Sequence, residues 1–136
     1  MTFSRLLSGI FGAVMMLASP LAAEVRLVMV EQDGCAWCAR WDAEIAPAYP
    51  NTPEGRFAPL LRADLHEDPP EGVRFSRKVV FTPTFVLIDN GKELARMEGY
   101  PGADFFWPLL TRMLGENTGF GTDPAAAAPS ARVEGG

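Results

Sequence analysis

Two cysteines separated by two residues, Cys35 and Cys38, lie where an apolar strand gives way to a helix. Residues 25–30 are almost continuously apolar and rich in β-branched side chains, which is typical of a strand buried on both faces. Bulky apolar residues then recur every four positions from Trp37 to Ile45, which predicts a helix. A strand that enters a helix through a Cys-x-x-Cys segment restricts the chain to folds that mix both element types, with the two thiols at the helix start.

The two ends of the chain predict segments outside the folded domain. Residues 1–23 place one charge, Arg5, before an apolar run of about a dozen residues, as in a cleaved signal peptide. The run is shorter than the roughly 20 residues of a membrane span, so cleavage before Glu24 is favoured over an anchor. Residues 115–136 are rich in Gly and Ala and predict a disordered tail. Residues 24–114 then form one domain with a modest core.

Charge and composition exclude several classes of function. The chain has 136 residues and a net charge of −5, so it repels nucleic acid. Two cysteines and one histidine, His66, cannot supply the four ligands of a structural zinc site. Covalent haem attachment needs a histidine after the second cysteine, and Ala39 stands there. His66 lies in a polar loop, with no sign of a functional role.

The later part of the chain predicts the remaining elements of a mixed sheet. We expect a strand over 57–65, a short helix around Val73 and Phe75, strands over 85–88 and 93–97, and a helix over 106–113. Asn90-Gly91 between two strands is a strong signal for a two-residue hairpin. Prolines predict an irregular loop after the first helix, and Pro108 fits the last helix only in its first turn. The order is β-α-β-α-β-β-α, an α/β fold with a central mixed sheet flanked by helices.

The position of Cys35 at a helix start predicts a reactive thiol. Unpaired backbone N–H groups and the positive end of the helix dipole stabilise a thiolate there and lower its pKa. Cys38, one turn further on, can attack a mixed disulfide held by Cys35. The main alternative is a purely structural disulfide in an oxidising compartment. A loop this small constrains the unfolded chain little, so redox chemistry is the favoured interpretation.

Thr82-Pro83-Thr84-Phe85 places a proline at the head of a strand, where its missing N–H is tolerated. A cis bond before Pro83 would point the backbone of Thr82 outward, towards an extended peptide. For a single X-Pro bond considered alone, the trans form is favoured.

Taken together, the C-A-W-C motif, the T-P-T-F strand and the final hairpin and helix resemble the thioredoxin superfamily over residues 25–114. The resemblance implies that Cys35 is the nucleophile and Cys38 the resolving thiol. It also implies a cis Pro83 beside the disulfide, with Thr82 contacting the bound peptide. The segments VEQDGCAWCARWDAEIAPAYP and RMEGYPGADFFWPLL are similar to the small periplasmic thioredoxins of bacterial sulfur-oxidation (Sox) systems.

The chain departs from the usual thioredoxin pattern at two places. Ala-Trp stands between the cysteines where many members have Gly-Pro, and Met29 occupies the strand position of a buried acid. Glu31 or Asp33 could replace that acid as the base for Cys38. Trp37 is open to two interpretations, a docking surface or a helix residue packed on the domain.

The sequence thus predicts a periplasmic thiol–disulfide oxidoreductase that reduces partner proteins. No cofactor or metal is implied, because the cysteine pair carries both electrons. The family implies a membrane thiol-transfer protein as electron donor and a partner such as the sulfur-carrier protein of a Sox system. We expect a monomer with no membrane span in its mature form. The alternatives are a disulfide oxidase or isomerase and a redox-inert binding module.

Overall fold

The structure is a computed structural model that describes residues 24–122. The strands are β1 (Val25–Glu31), β2 (Leu60–Asp64), β3 (Thr84–Asp89) and β4 (Lys92–Glu98), and the helices are α1 (Ala36–Glu44), α2 (Pro53–Phe57) and α3 (Ala103–Asn117). The predicted signal peptide and residues 123–136 of the predicted tail lie outside the described residues. No helix within 24–122 combines the length and apolar character that crossing a bilayer requires.

The four strands form one mixed sheet in the order β2-β1-β3-β4. β1 pairs with β2 in parallel and with β3 antiparallel, and β3 pairs antiparallel with β4. The carboxyl ends of β1 and β2 and the amino end of β3 therefore meet at one edge of the sheet. The predicted α/β fold with a central mixed sheet is confirmed, and this edge carries the cysteine motif.

Both faces of the sheet are covered, as the apolar β1 segment predicts. One face packs against α1 and α3, where the ring of Trp41 lies 5.4 Å from that of Phe85 and 5.8 Å from that of Phe106. The other face packs against residues 65–83, which we call the connecting segment. The apolar side chains of this second layer are Val28, Val30, Val86 and Ile88 of the sheet and Leu65, Val73, Phe75 and Val79 of the connecting segment.

The prediction of a short helix around Val73 and Phe75 is wrong, because the described residues of the connecting segment contain no helix. Its backbone donors bond to other elements instead. The Arg74 N–H donates to the Gly91 carbonyl at 2.7 Å, and the Ser76 N–H donates to the Glu93 carboxylate at 2.6 Å. Contacts with the β3–β4 hairpin thus outweigh the weak local helix pattern.

The prediction of an irregular loop after the first helix is wrong in part. It contains a 3₁₀ turn at Tyr49–Asn51 followed by α2. Thr52 caps α2 by accepting a hydrogen bond from the Gly55 N–H at 3.0 Å. Pro53 occupies the first turn, where its fixed φ suits a helix and its missing N–H costs nothing. The second strand consequently begins at Leu60 instead of residue 57.

The last helix extends beyond its predicted limits at both ends. Pro108 lies inside α3 and not in its first turn, which corrects the sequence-based expectation. Pro108 and Asp104 are both exposed, so water can reach the Asp104 carbonyl that lacks a helical donor. α3 continues past the predicted domain end at Leu114, and the Phe120 ring lies 5.1 Å from that of Phe57. The packed part of the chain therefore ends later than predicted.

The predicted hairpin between β3 and β4 is confirmed. Asn90 and Gly91 have φ values of 51° and 81°, the left-handed conformation that a tight two-residue turn requires at both central positions. This turn sets the antiparallel pairing of β3 with β4, which is an outer strand of the sheet.

Candidate redox site

Cys35 and Cys38 form a disulfide with Cα atoms 5.2 Å apart. Cys35 is the N-cap of α1, with φ −78° and ψ 101°, and its Sγ accepts a hydrogen bond from the Cys38 N–H at 3.1 Å. The turn from β1 into α1 therefore brings both sulfurs to the positive end of the helix. An N–H in this position can stabilise negative charge on Cys35 Sγ once the disulfide opens.

The two sulfurs differ in accessibility. Cys35 is half-buried, whereas Cys38 is only 5% exposed and belongs to the core cluster with Trp41 and Ile45. A bulky partner can therefore reach Cys35 and not Cys38. This asymmetry suits one attacking and one resolving thiol.

Trp37 faces solvent, which answers a question that the sequence left open. Its side chain is 53% exposed, and the Arg40 guanidinium lies 5.5 Å from the centre of its ring. Arg40 is held in turn by Glu44, whose Oε1 is 2.8 Å from Arg40 Nε. Hydrogen bonds from Arg40 and Tyr100 lower the pKa of Glu44, so the carboxylate that orients Arg40 stays charged at neutral pH. An oriented cation–aromatic pair thus stands beside the disulfide.

The segment before β3 presents a backbone with free hydrogen-bonding groups. The Thr82–Pro83 peptide bond is cis, Pro83 is buried and Thr82 is half-buried. Among residues 24–122, no group bonds to the Thr82 N–H or carbonyl, while the Pro83 carbonyl accepts from the Gly99 N–H at 2.7 Å. The exposed aromatic Phe81 directly precedes this free backbone. The site therefore offers polar backbone groups beside apolar surface.

The position that holds an acid in many thioredoxins is apolar here. Met29 is fully buried, and the expected substitute Glu31 lies at the end of β1 with its carboxylate 2.6 Å from Arg62 Nη1. Arg62 Nη2 also lies 2.7 Å from Asp42 Oδ1. Both carboxylates line a groove of about 460 Å³ that runs alongside the disulfide. Glu31 and Asp42 are thus paired with Arg62, whereas Asp33, the other expected substitute, is exposed and lines the same groove.

Two residues at this edge of the sheet were missed by the sequence analysis. Gln32 donates a hydrogen bond through Nε2 to Thr82 Oγ1 at 2.8 Å, and its Oε1 lies 3.1 Å from His66 Nε2. His66 therefore belongs to the surroundings of the site. No local signal marks these contacts, since they join positions 50 and 34 residues apart.

The part of the chain that the structure describes contains no group of three or more His, Cys, Asp or Glu side chains arranged to hold a metal ion.

The chain is similar to the periplasmic thioredoxin SoxS of Paracoccus pantotrophus, solved in its reduced form. The two share 57% identity with a TM-score of 0.67, over 68% of this chain and 98% of that one. Thioredoxin-2, a component of the malaria parasite protein secretion machinery, matches at 22% identity with a TM-score of 0.50, over 82% of this chain and 99% of that one. That second likeness concerns the fold alone.

No protein-family model and no curated protein matches the chain. The identity with SoxS nevertheless extends over almost the whole of that protein, and it is far above the level at which only the fold is shared. A cysteine pair at the start of α1 within this fold performs thiol–disulfide exchange. The chain belongs to the thioredoxin superfamily, and it is a thiol–disulfide oxidoreductase similar to the periplasmic thioredoxin SoxS.

Proposed function

We propose that this protein is a periplasmic reductant of partner-protein disulfides. The observation that carries the proposal is the asymmetry of the cysteine pair. Cys35 is accessible and accepts a hydrogen bond at the start of α1, whereas Cys38 is 5% exposed behind it. An accessible stabilised thiolate with a shielded second thiol is suited to attack followed by rapid release.

The reaction proceeds by two exchanges of sulfur bonds. The Cys35 thiolate attacks one sulfur of the partner disulfide, forms a mixed disulfide and releases the other partner sulfur as a thiolate. Cys38 loses its proton to solvent or to a groove carboxylate and attacks Cys35 Sγ. The second partner sulfur then leaves, and both partner thiolates take up protons from water. The partner gains two electrons and two protons, and the Cys35–Cys38 disulfide is formed.

Partner binding uses the surfaces on both sides of Cys35. The free N–H and carbonyl of Thr82, next to Pro83, suit an extended segment of the partner that pairs with them as a short strand. Trp37 adds apolar contact area at the helix start. We assign catalytic roles to Cys35 and Cys38 and partner-contacting roles to these three residues.

The similarity to a periplasmic thioredoxin supports the cellular assignment. We infer export through residues 1–23 and action in the periplasm. The resemblance to Sox-system thioredoxins supports the sulfur-carrier protein of such a system as the partner. Since an oxidising compartment does not reduce the disulfide again, a membrane thiol-transfer protein supplies the electrons.

The reduction potential of the Cys35/Cys38 couple tests the direction of the reaction. We expect a value near or below about −220 mV when the protein is equilibrated with dithiothreitol or glutathione buffers. Cys38→Ser is the control, because it lacks the two-electron couple. A value near about −120 mV would identify an oxidant and overturn the reductase proposal, leaving the fold and family unchanged.

A further inference from the structure

Three side chains are hydrogen-bonded in series at the end of the sheet that carries the disulfide. His66 follows β2, Gln32 follows β1 three residues before Cys35, and Thr82 precedes β3. His66 Nε2 lies 3.1 Å from Gln32 Oε1, and Gln32 Nε2 lies 2.8 Å from Thr82 Oγ1. The sheet brings these loops together because the ends of β1, β2 and β3 meet at this edge.

With the Gln32 amide oriented as in the structure, its oxygen towards His66 and its nitrogen towards Thr82, each of the two hydrogen bonds has one direction. An amide oxygen only accepts, so His66 Nε2 carries a hydrogen and donates it to Gln32 Oε1. An amide nitrogen only donates, so Thr82 Oγ1 accepts from Gln32 Nε2. A hydroxyl that accepts one hydrogen bond keeps its own hydrogen for another acceptor. Within residues 24–122, no group accepts that hydrogen.

Other contacts fix the positions of these three residues. The His66 backbone N–H donates to Asp64 Oδ1 at 2.7 Å, which fixes the loop after β2. Thr82 is fixed by the buried Pro83 that follows it. Gln32 itself is half-buried between them, at the base of the turn that leads to Cys35.

We propose that Gln32 is a positioning residue that makes the Thr82 hydroxyl a hydrogen-bond donor to a bound partner. The acceptor is a backbone carbonyl oxygen of a partner polypeptide whose disulfide is attacked by Cys35. The hydroxyl belongs to the same residue as the N–H and carbonyl that have no hydrogen-bond partner among residues 24–122. Gln32 thereby favours polypeptide disulfides over small disulfides that lack such a carbonyl. The inference rests on the proposed function, since it places the partner beside Thr82.

The test compares two probes with the reduced protein. Insulin is a polypeptide disulfide, and bis(2-hydroxyethyl) disulfide is small and uncharged. We expect Gln32→Met and Thr82→Val each to lower the second-order rate constant for insulin about fivefold, the worth of one hydrogen bond. The constant for the small disulfide should change less than about twofold. Thr111→Val removes an exposed hydroxyl bonded to Glu54, and we expect it to change neither constant.

Non-additivity and reversed polarity separate positioning from a general structural effect. If Gln32 acts through Thr82, the double variant Gln32→Met/Thr82→Val loses no more insulin reactivity than Thr82→Val alone. Gln32→Glu keeps the shape but only accepts, so Thr82 must donate to it and cannot donate to the partner. We therefore expect the ratio of the insulin rate constant to the small-disulfide rate constant to fall for this variant also. Circular dichroism melting identifies any variant that fails to fold.

Two results would overturn the proposal. One is a Gln32→Glu variant with the wild-type ratio of the two constants. The other is a double variant whose loss is the product of the single losses, about 25-fold, which would mean that Gln32 and Thr82 act independently. A failure of the proposed function is distinguishable, because it is read from the reduction potential of the Cys35/Cys38 couple and not from the ratio of the two rate constants.

Discussion

The Sγ atom of Cys35 has a structural role in the fold and, in the proposed function, a chemical role. This Sγ occupies the N-cap position, where serine or aspartate oxygens usually accept from the first turn of a helix. The Cys38 N–H that it accepts is therefore satisfied in the fold and available to the thiolate. A charged acceptor strengthens such a bond, so reduction and ionisation of Cys35 improve the cap.

Replacing the shielded thiol should trap the first half of the reaction. We expect Cys38→Ser to accumulate a mixed disulfide with insulin, because no second thiol can release it. The adduct is read by non-reducing electrophoresis and by mass. Cys35→Ser is the matched control, and its remaining thiol at Cys38 is too buried to form the adduct at a comparable rate. Equal adduct from both variants would contradict the assigned roles, and no adduct from Cys38→Ser would favour a redox-inert module.

Among the secondary-structure elements, β4 does more than close the sheet. Glu93 and Arg96 on this strand form an ion pair at 2.7 Å, with both side chains 5% exposed. Glu93 also accepts from the Ser76 N–H, and Arg96 Nη2 donates to the Arg77 carbonyl at 2.8 Å. The pair thus fastens the connecting segment, which contains Thr82 near its end. Burial raises the pKa of Glu93, but the hydrogen bonds from Arg96 and Ser76 outweigh it and lower the pKa overall.

Removing this charge should loosen the second layer of the fold. We expect Glu93→Gln to lower the free energy of unfolding at pH 7 by about 2 kcal/mol, between the values for exposed and buried pairs. Because the folded pKa of Glu93 is lowered, its contribution is present above the unfolded value of about 4.3 and is lost as pH falls through the folded value. Urea denaturation should therefore show a smaller difference from wild type at pH 3.

Glu116→Gln is the control for this effect. Glu116 pairs with Arg112 at 3.9 Å in an exposed position, and we expect its loss to cost under about 1 kcal/mol. Equal losses for the two variants at pH 7, or a Glu93→Gln difference that is independent of pH, would contradict the assigned role of the buried pair.

Across the whole domain, both tyrosines of the chain are buried and join separate segments through their hydroxyls. The Tyr49 hydroxyl donates to the Ala58 carbonyl at 2.7 Å, and the Tyr100 hydroxyl donates to Glu44 Oε2 at 2.6 Å. Burial raises the pKa of Tyr49. Burial and the hydrogen bond to Glu44 together raise the pKa of Tyr100 to about 12. Ionisation of either hydroxyl is therefore disfavoured in the folded state.

The oxidised protein should lose stability in alkali through these groups. A raised folded pKa contributes stability that is present below the unfolded value of about 10 and is lost as pH rises through the folded value. Each tyrosine can contribute up to about 1.4 kcal/mol per pH unit above pH 10. We expect Tyr100→Phe to be less stable than wild type at pH 7 by about 1 kcal/mol, but to lose less between pH 10 and 12. The unfolding free energies are measured by urea denaturation. If wild type and Tyr100→Phe lost the same unfolding free energy between pH 10 and 12, the result would contradict this.

The features that depend on neighbouring residues were predictable from the sequence. Continuous apolar residues predicted β1, helical spacing predicted α1, and Asn90-Gly91 predicted the hairpin. The reactive position of Cys35 followed from the same short stretch. Each of these depends on backbone preferences and side-chain periodicity within a few residues, and both can be read from the local amino-acid sequence.

Other features exist only because distant segments meet. The residues around Val73 bond to the hairpin and form no helix, and Trp37 is exposed because its helix buries the opposite face. Gln32 reaches Thr82 and His66 because the pairing of β1 with β2 and β3 brings three loops to one edge. Such contacts depend on strand order and register, which short-range preferences do not specify. The sequence therefore determined the reactive motif and its helix, while the packing of the sheet determined what surrounds the motif.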